Sequence, residues 1–441
     1  MSEALERHPE LKKARANSEQ SWARLGQTRS TYYPQVTFSS SYSVGAQQPE
    51  RDSRSRYSHG FSLRQYITDF GKTSNTLKAS VESYAAAVFE QKSQEDSIIC
   101  EVKKSFYECV AAKCIVEANE DSVDKYLEHL KEAKALYHSG KAAKIDITTA
   151  EVNLTNAEYA LTEAENSYQL SIVRLHNAMG CMPSSDLKFE WEGGKDEAHP
   201  DYGLEELLQY AKDERPDMLA SDAQLRSSKA SSKAVSAEYF PTISGSAGYN
   251  WNDDHYPMDH SWQAGLSMSL TVTDGNKTAY RIRESKAKVK AAEASNERVW
   301  QNIALEVESS YITMLNNEKN LKVSDKSLKL AEENFDLANH RYYLGVGSST
   351  EFTDAQNSLL QARTNRIKAS LNYYSSIAAL EKAVGRELPK RKDIKKEEAP
   401  KPSGKLNGEN SYKDYDTNKT DNKSMPQNGI NKETNSTEPQ K

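Results

Sequence analysis

A chain of 441 residues is long enough for one large or two to three ordinary domains, yet only 37 % of it is apolar and 28 % is charged, which suits long exposed helices better than a thick core. The formal net charge of −6 is too close to neutral at this size to indicate a nucleic-acid partner. No apolar run reaches the roughly 18 residues of a transmembrane helix, and the opening MSEALERHPEL lacks the basic and apolar regions of a signal peptide.

The first elements in the chain recur later. HPELKKARANSEQSWARLGQTRSTYYPQVTFSSSY (8–42) has a counterpart in RPDMLASDAQLRSSKASSKAVSAEYFPTISGSAGY (215–249), and Pro9 and Pro34 map onto Pro216 and Pro241 at one offset of 207. Farther on the offset becomes 205 and holds. Gly60 maps to Gly265, Thr68-Asp69 to Thr273-Asp274, Tyr137 to Tyr342, Gly140 to Gly345 and Gly180 to Gly385. The chain is therefore one unit written twice: a short helix, two strands, then a long helical stretch broken once. The expected organisation is a first repeat at 1–180, a linker at 181–202, a second repeat at 203–388 and a polar, Lys/Asn-rich disordered tail at 389–441. GLEELLQYAKDE (203–214) leads into the second repeat, whereas only MSEALER stands before the first. A truncated or displaced start is expected rather than a cytosolic protein.

The strands carry a period of two. In SWQAGLSMSLTVT (261–273), Trp262, Ala264, Leu266, Met268, Leu270 and Val272 point one way and small or polar residues the other. Its expected hairpin mate is TISGSAGYNW (242–251), and the first repeat offers QVTFSSSYSV (35–44) and RYSHGFSLRQYI (56–67). Tyr57, Tyr249, Trp251, Tyr256 and Trp262 cluster near the hairpin loops, as aromatic girdles do in outer-membrane barrels. A soluble sandwich edge shares this pattern. Four strands cannot close a barrel with a usable interior, and lipid does not tolerate open edges. Membrane strands would have to be pooled by several chains, eight from two copies or twelve from three, and periodicity does not choose between these.

Each strand pair leads into helix. No proline occurs between Pro49 and Pro183 or between Pro257 and Pro389. Gly140 is the only glycine between Lys72 and Met179, and Gly345 and Gly347 are the only ones between Asn276 and Val384. Each repeat thus predicts a helix of about 65 residues, a tight turn and a returning helix of about 35, the longer arm approaching roughly 100 Å. Val102, Cys109, Val116, Val123, Leu130 and Tyr137 are spaced by seven, as are Val307, Met314, Leu321, Leu328, Phe335 and Tyr342. A sustained seven-residue period calls for coiled-coil packing. The second seam position is weaker (Ser105, Ala112, Asn119), which fits a wide bundle or a wall with a wet side. The fold class is mainly α with β: two tandem repeats, each a strand pair followed by long coiled-coil helices.

Catalytic chemistry is missing from the pattern. The nine histidines are scattered, and Cys100, Cys109, Cys114 and Cys181 have no metal spacing and read as helix-packing thiols. The GGK at 193–195 lacks the spacing of a phosphate loop. No enzyme activity, cofactor or metal is expected.

The whole arrangement resembles the TolC-like outer-membrane efflux family. The resemblance rests on the proline-bounded strand starts YYPQV and YFPTI and on the strand-to-helix turns ITDFGK and VTDGNK. It rests above all on RYYLGVGSSTEFTDAQNSLLQARTNRIKASLNYYSSIAALEKAVG (341–385) with its weaker echo at 136–180, and it spans nearly all but the tail. It implies a homotrimer whose twelve-stranded β-barrel sits in outer-membrane lipid and continues as an α-helical tunnel across the periplasm. An inner-membrane transporter and a periplasmic adaptor (membrane fusion protein) would be its partners, with no nucleic acid. The turns at Tyr137, Gly140, Lys141, Tyr342, Gly345 and Val346 are then the adaptor-contacting tips. Asp146, Tyr342, Glu351 and Asp354 are the pore gate, with Glu351 and Asp354 repeated into a ring of six carboxylates. The plain reading of these acids is stabilisation of a helix N-terminus. Some relatives latch the tip with an arginine two residues after the second repeat's first glycine. That position is Gly347 here, so a weaker gate or another contact such as Lys144 is expected. Two alternatives stand beside a small-molecule efflux duct: a type I secretion duct, and a soluble coiled-coil scaffold.

Overall fold

Proline and aspartate punctuation sets where the elements begin. The computed structural model describes residues 2–46, 53–182, 202–253, 257–386 and 388. The expected linker, apart from its first two residues and its last, lies outside these, as do the tail from Pro389 and Tyr256. The first repeat runs α1 (Ser2–Arg7), α2 (Pro9–Ser30), β1 (Gln35–Ala46), β2 (Ser53–Thr68), α3 (Lys72–His138) and α4 (Lys144–Ala178). The second runs α5 (Leu204–Glu214), α6 (Pro216–Ser236), a 3-10 turn (Ala237–Tyr239), β3 (Thr242–Asp253), β4 (Asp259–Ser269), α7 (Lys277–Tyr343) and α8 (Ser349–Val384).

Pro9 and Pro216 occupy the first helical position, where a missing N–H costs nothing. The turns ITDFGK and VTDGNK share one device. Two successive residues take left-handed backbone, Phe70 and Gly71 in one copy and Gly275 and Asn276 in the other. An aspartate then receives the new helix: the Thr73 amide donates to Asp69 at 2.7 Å, and the Thr278 amide to Asp274 at 2.8 Å.

The four strands form one antiparallel sheet in the order β1-β2-β3-β4, so the two repeats meet along β2 and β3. Register sorts the two faces. Phe38, Phe61, Tyr249 and Trp262 stand directly opposite one another across all four strands, and Val36, Leu63, Ala247 and Ala264 form the next row. On the other face Ser39, Gly60, Asn250 and Ser261 make one row, and Thr37, Ser62, Gly248 and Gln263 the next. One side is apolar with an aromatic belt, the other small and polar. Among the described residues nothing covers the apolar side: Val36, Phe38, Trp262, Leu266 and Met268 are all exposed. The expected strand at 261–273 is shorter at its C-terminal end, closing at Ser269, with Leu270 and Val272 beyond the sheet. Its partner explains this. Ser269 pairs with Thr242, and the residue before Thr242 is Pro241, which has no amide to continue the ladder.

Helices α3 and α7 each have 67 residues, about 100 Å of rise. Each long helix spans two shorter ones laid end to end. The first half of α3 meets α2 and α6, and its second half meets α4 and α8. Toward the turns the helices lie in the order α4-α3-α8-α7. The joints between short helices are the densest parts. Leu11, Ile98, Val102, Cys109 and Leu175 cluster in the first repeat, and Leu207, Met218, Ile303, Val307, Met314, Tyr373 and Leu380 in the second. The heptad of α7 is buried at Val307, Met314, Leu321, Phe335 and Tyr342; that of α3 is buried at Val102, Cys109 and Leu130 but ends with Tyr137 exposed. All four cysteines are free thiols, and Cys100 and Cys109 are buried.

Arg215 ties the second joint together. It is 7 % exposed, its Nε donates to Asp217 at 2.8 Å, its Nη1 donates to the Ala383 carbonyl at 2.8 Å, and its Nη2 meets Glu306. Arg215→Ala strands the Ala383 carbonyl and removes the fastening between α6, α7 and α8. Because both carboxylates are partly exposed, the expected loss is about 2 kcal/mol. Denaturant titration in detergent followed by circular dichroism checks it.

Candidate functional site at the helical tips

Both hairpins close in the same way. The Gly140 amide donates to the Tyr137 carbonyl at 2.9 Å, and the Lys141 amide to the Leu136 carbonyl at 2.9 Å. In the second repeat Gly345 bonds Tyr342 at 2.9 Å and Val346 bonds Arg341 at 3.0 Å. These are the paired bonds of a helix end that turns through one left-handed residue, and Gly140 and Gly345 have φ of 71° and 73°. Gly347 is held for a different reason. A Cβ there would lie 2.9 Å from the Tyr342 amide nitrogen and 3.0 Å from the Arg341 carbonyl carbon, both backbone atoms. A side chain at this position, arginine included, does not fit this turn.

The expected gate acids start the returning helices. Asp146 sits in the first turn of α4 and accepts the Ala143 amide at 3.0 Å. Ser348 caps α8 by accepting the Glu351 amide at 3.1 Å. The Glu351 carboxylate lies 3.5 Å from Arg341 Nε with both side chains more than half exposed, so the pair adds little to stability. Asp354 is exposed on the next turn. Lys144 is exposed at the first position of α4 and forms no ion pair among the described residues.

Tyr342 is not a surface residue. It is 5 % exposed and packs on His129 of α3, ring centroids 4.5 Å apart, and on Phe352 of α8. The exposed apolar residues of the tip are Tyr343, Leu344, Val346 and Ile145, with Tyr137 and Lys141 also exposed.

His129 is the residue that hydrophobic patterning misses. It is 1 % exposed, stacks on Phe352 at 4.2 Å and 7°, and its Nε2 lies 2.9 Å from Ser349 Oγ. Its Nδ1 is buried without a partner. Burial pushes its pKa down to about 4, against the opposing pull of Asp146. The same acid acts on Tyr342, whose hydroxyl is pushed up by burial, then by Glu132 and Asp146. Asp146, His129 and Tyr342 are thus brought into one electrostatic group.

His129 belongs to a polar seam between α3 and α8. Gln356 donates to Ser122 at 3.1 Å, Tyr126 to Asn357 at 2.9 Å, and Arg363 pairs with Asp121. Asn153 of α4 adds a bond to Thr353 at 3.0 Å. Burial, then the nearby Asp354, pushes the Tyr126 hydroxyl up to about 12.

No cluster of metal-ligating side chains occurs among the described residues. Nor is any of their helices long and apolar enough to cross a membrane. A two-repeat chain with an apolar-faced sheet and long helical hairpins defines an outer-membrane channel fold. The sequence profile of the outer membrane efflux proteins matches residues 1–181 and 207–386, and the chain belongs to that family.

It is 22 % identical over 341 residues to a probable efflux pump outer membrane protein, TtgC, of Pseudomonas putida, covering 75 % of this chain and 69 % of that one. It is 21 % identical over 336 residues to the toxin and drug export protein A of Aggregatibacter actinomycetemcomitans, covering 74 % and 73 %. Among solved structures it is similar to the outer-membrane channel OprN, with a TM-score of 0.77 and 21 % identity over 87 % of this chain and 88 % of that one. The chain is an outer-membrane efflux protein, a transport component and not an enzyme. The soluble-scaffold alternative is set aside by this membership.

The two glycines of the second tip predict different costs. Gly345→Ala meets no atom within 4 Å and carries only the left-handed backbone penalty, about 1 kcal/mol. Gly347→Ala must push backbone apart, expected at about 2 kcal/mol. Hydrogen exchange of peptides covering 336–352 should rise more for Gly347→Ala; the reverse order would mean that backbone conformation, not close approach, constrains this turn.

Proposed function

We propose that three copies of this chain close into a ring that forms an exit duct, a twelve-stranded barrel in lipid continued by a helical tunnel. The observation that carries this is that both layers end in unsatisfied edges. In the sheet, β1 and β4 each pair on one side only. In the helix layer, α4 and α7 are the outer members, and each bears an exposed apolar stripe at heptad spacing. Ile145, Val152, Tyr159 and Val173 line α4, and Val323, Leu330 and Leu337 line α7, the last three each 66 % exposed. The two edges differ from one another, so the contact between copies is head-to-tail and is satisfied only by a closed ring. The TolC-like arrangement that the sequence resembles puts the number at three.

In this reading the aromatic belt faces lipid and the Ser/Thr/Gly face lines a wet interior. The tips meet a periplasmic adaptor through Tyr137, Gly140, Lys141, Gly345 and Val346, joined by the exposed Tyr343 and Leu344, while the buried Tyr342 supports them from beneath. Cargo arrives from an inner-membrane transporter. Two relatives are named for efflux and for toxin and drug export. Small-molecule efflux is the first reading and type I secretion the second, since pump and adaptor would select the cargo. Asp146, Tyr342, Glu351 and Asp354 form the gate region. Glu351 and Asp354, three times over, make a carboxylate ring that favours cations.

Two measurements test the reading. The outer-membrane fraction should give an unheated gel band near three chains that collapses to one on heating. Leu330→Glu, a charge set into the α7 stripe, should abolish that band while leaving far-ultraviolet dichroism intact; a band that survives removes α7 from the interface. In planar bilayers the double variant Glu351→Gln/Asp354→Asn should lose at least half of the wild-type cation preference. Unchanged selectivity would place these acids away from the pore.

A further inference from the structure

We propose that His129 is an acid-sensitive lock that holds the first hairpin against the second, so that acidification of the surrounding medium by itself loosens the tip. The inference rests on reading the tips as the gate of a duct.

The geometry carries the argument. His129 projects from α3 into the contact with α7 and α8, where Phe352 covers one face of its ring, Tyr342 stands beside it and Ser349 meets Nε2. Nδ1 has no partner and no access to water. A neutral ring tolerates this, because a bare acceptor nitrogen between aromatic rings loses one hydrogen bond. A protonated ring does not, because its second N–H and its charge would both be buried without hydration. The charged or titratable groups that face the site are few. Asp146 on α4 favours the cation, and Tyr342 on α7 has a hydroxyl raised by burial and stays neutral in acid. On α8 the contacts are Ser349 and Phe352; Glu351 is engaged with Arg341, and Asp354 acts on Tyr126. On α3 itself, Glu132 acts on Tyr342 and Tyr343.

The sign follows from linkage. The closed seam holds the imidazole with its pKa at about 4, and separation of the hairpins returns it to water, where the usual value is about 6.5. A depressed histidine favours the closed state fully above the hydrated value and loses that contribution as pH falls toward the buried one. The open-to-closed ratio per chain should therefore rise about tenfold between pH 7.5 and pH 5.5.

The test uses the full-length assembled protein, with two readouts. One is hydrogen exchange of peptides covering 126–133 and 349–356, corrected for the intrinsic pH dependence of exchange. The other is the fraction of open time in planar bilayers. His129→Gln keeps a group able to bond Ser349 and cannot take a proton. The expected result is that acid raises seam exchange about tenfold and lengthens open time in the wild type, and leaves both flat in His129→Gln. Asp146→Asn removes the charge that eases protonation of the buried ring, so the acid response should be larger than the wild type's at its low-pH end, and it serves where His129→Gln does not assemble. A response equal in His129→Gln and the wild type, as from Glu132, overturns the proposal, and so does a wild-type seam unchanged by acid. If the seam responds through His129 but no conductance is found under any condition, the lock stands and the duct reading falls. If the channel conducts but acid does not move the seam, the duct stands and the lock falls.

Discussion

A backbone amide facing lipid must be bonded, and this chain has two strand edges that it cannot bond by itself. That constraint orders everything else in the molecule. It explains why an exposed apolar sheet face coexists with a thin helical core, and why helix outer edges carry leucines, valines and isoleucines at heptad spacing in open solvent. A monomer designed to stand alone would hide Trp262, Leu266 and Leu330; here they are about two-thirds exposed or more, and the proposed ring gives them lipid and another copy as partners. In the proposed ring the chain is one segment of a wall.

The duplication serves the same end. A single repeat would offer two strands and one hairpin, with no defined neighbour on either side. Two repeats joined along β2 and β3 and along α3 and α8 give a segment with distinct left and right edges. The repeats have since diverged where their surroundings differ. Tyr342 ends its heptad in the core, packed on His129 and Phe352, while its counterpart Tyr137 is exposed. Identical positions in the sequence therefore do different work, and the difference comes from which neighbour each tip has within the chain.

Much of this was legible in the sequence because its signals are strong and local. Pro9, Pro34, Pro216 and Pro241 mark helix and strand starts, Gly140 and Gly345 mark the turns, and the constant offset turns each observation into two. The helix lengths and all four strands followed from these. The end of β4 did not, because alternation in SLTVT continues past the point where Pro241 ends its partner. The burial of Tyr342 and the whole α3–α8 seam were also hidden. A heptad reports the face that α3 turns toward α4, whereas the face toward α8 is lined by Ser122, Tyr126 and His129, which no hydrophobic period reveals. Gly347 was visible only as a missing arginine. The structure supplies the reason, a backbone approach too close for any side chain.

A polar seam is the arrangement a movable contact requires. Apolar interdigitation between α3 and α8 would bind the hairpins tightly and would expose greasy surface whenever they parted. Hydrogen bonds such as Tyr126 to Asn357 and Gln356 to Ser122 contribute about 1 kcal/mol each, and water replaces them when the helices separate. Specificity is kept, since each bond fixes one register, while the energy difference between joined and parted states stays small. Within such a seam one buried group with an unmet valence weighs more than its size suggests. Gln356 is also buried with an unpartnered oxygen, but it cannot change its charge. His129 can, and among these seam residues it alone joins a buried unpartnered atom to a charge that acid would add.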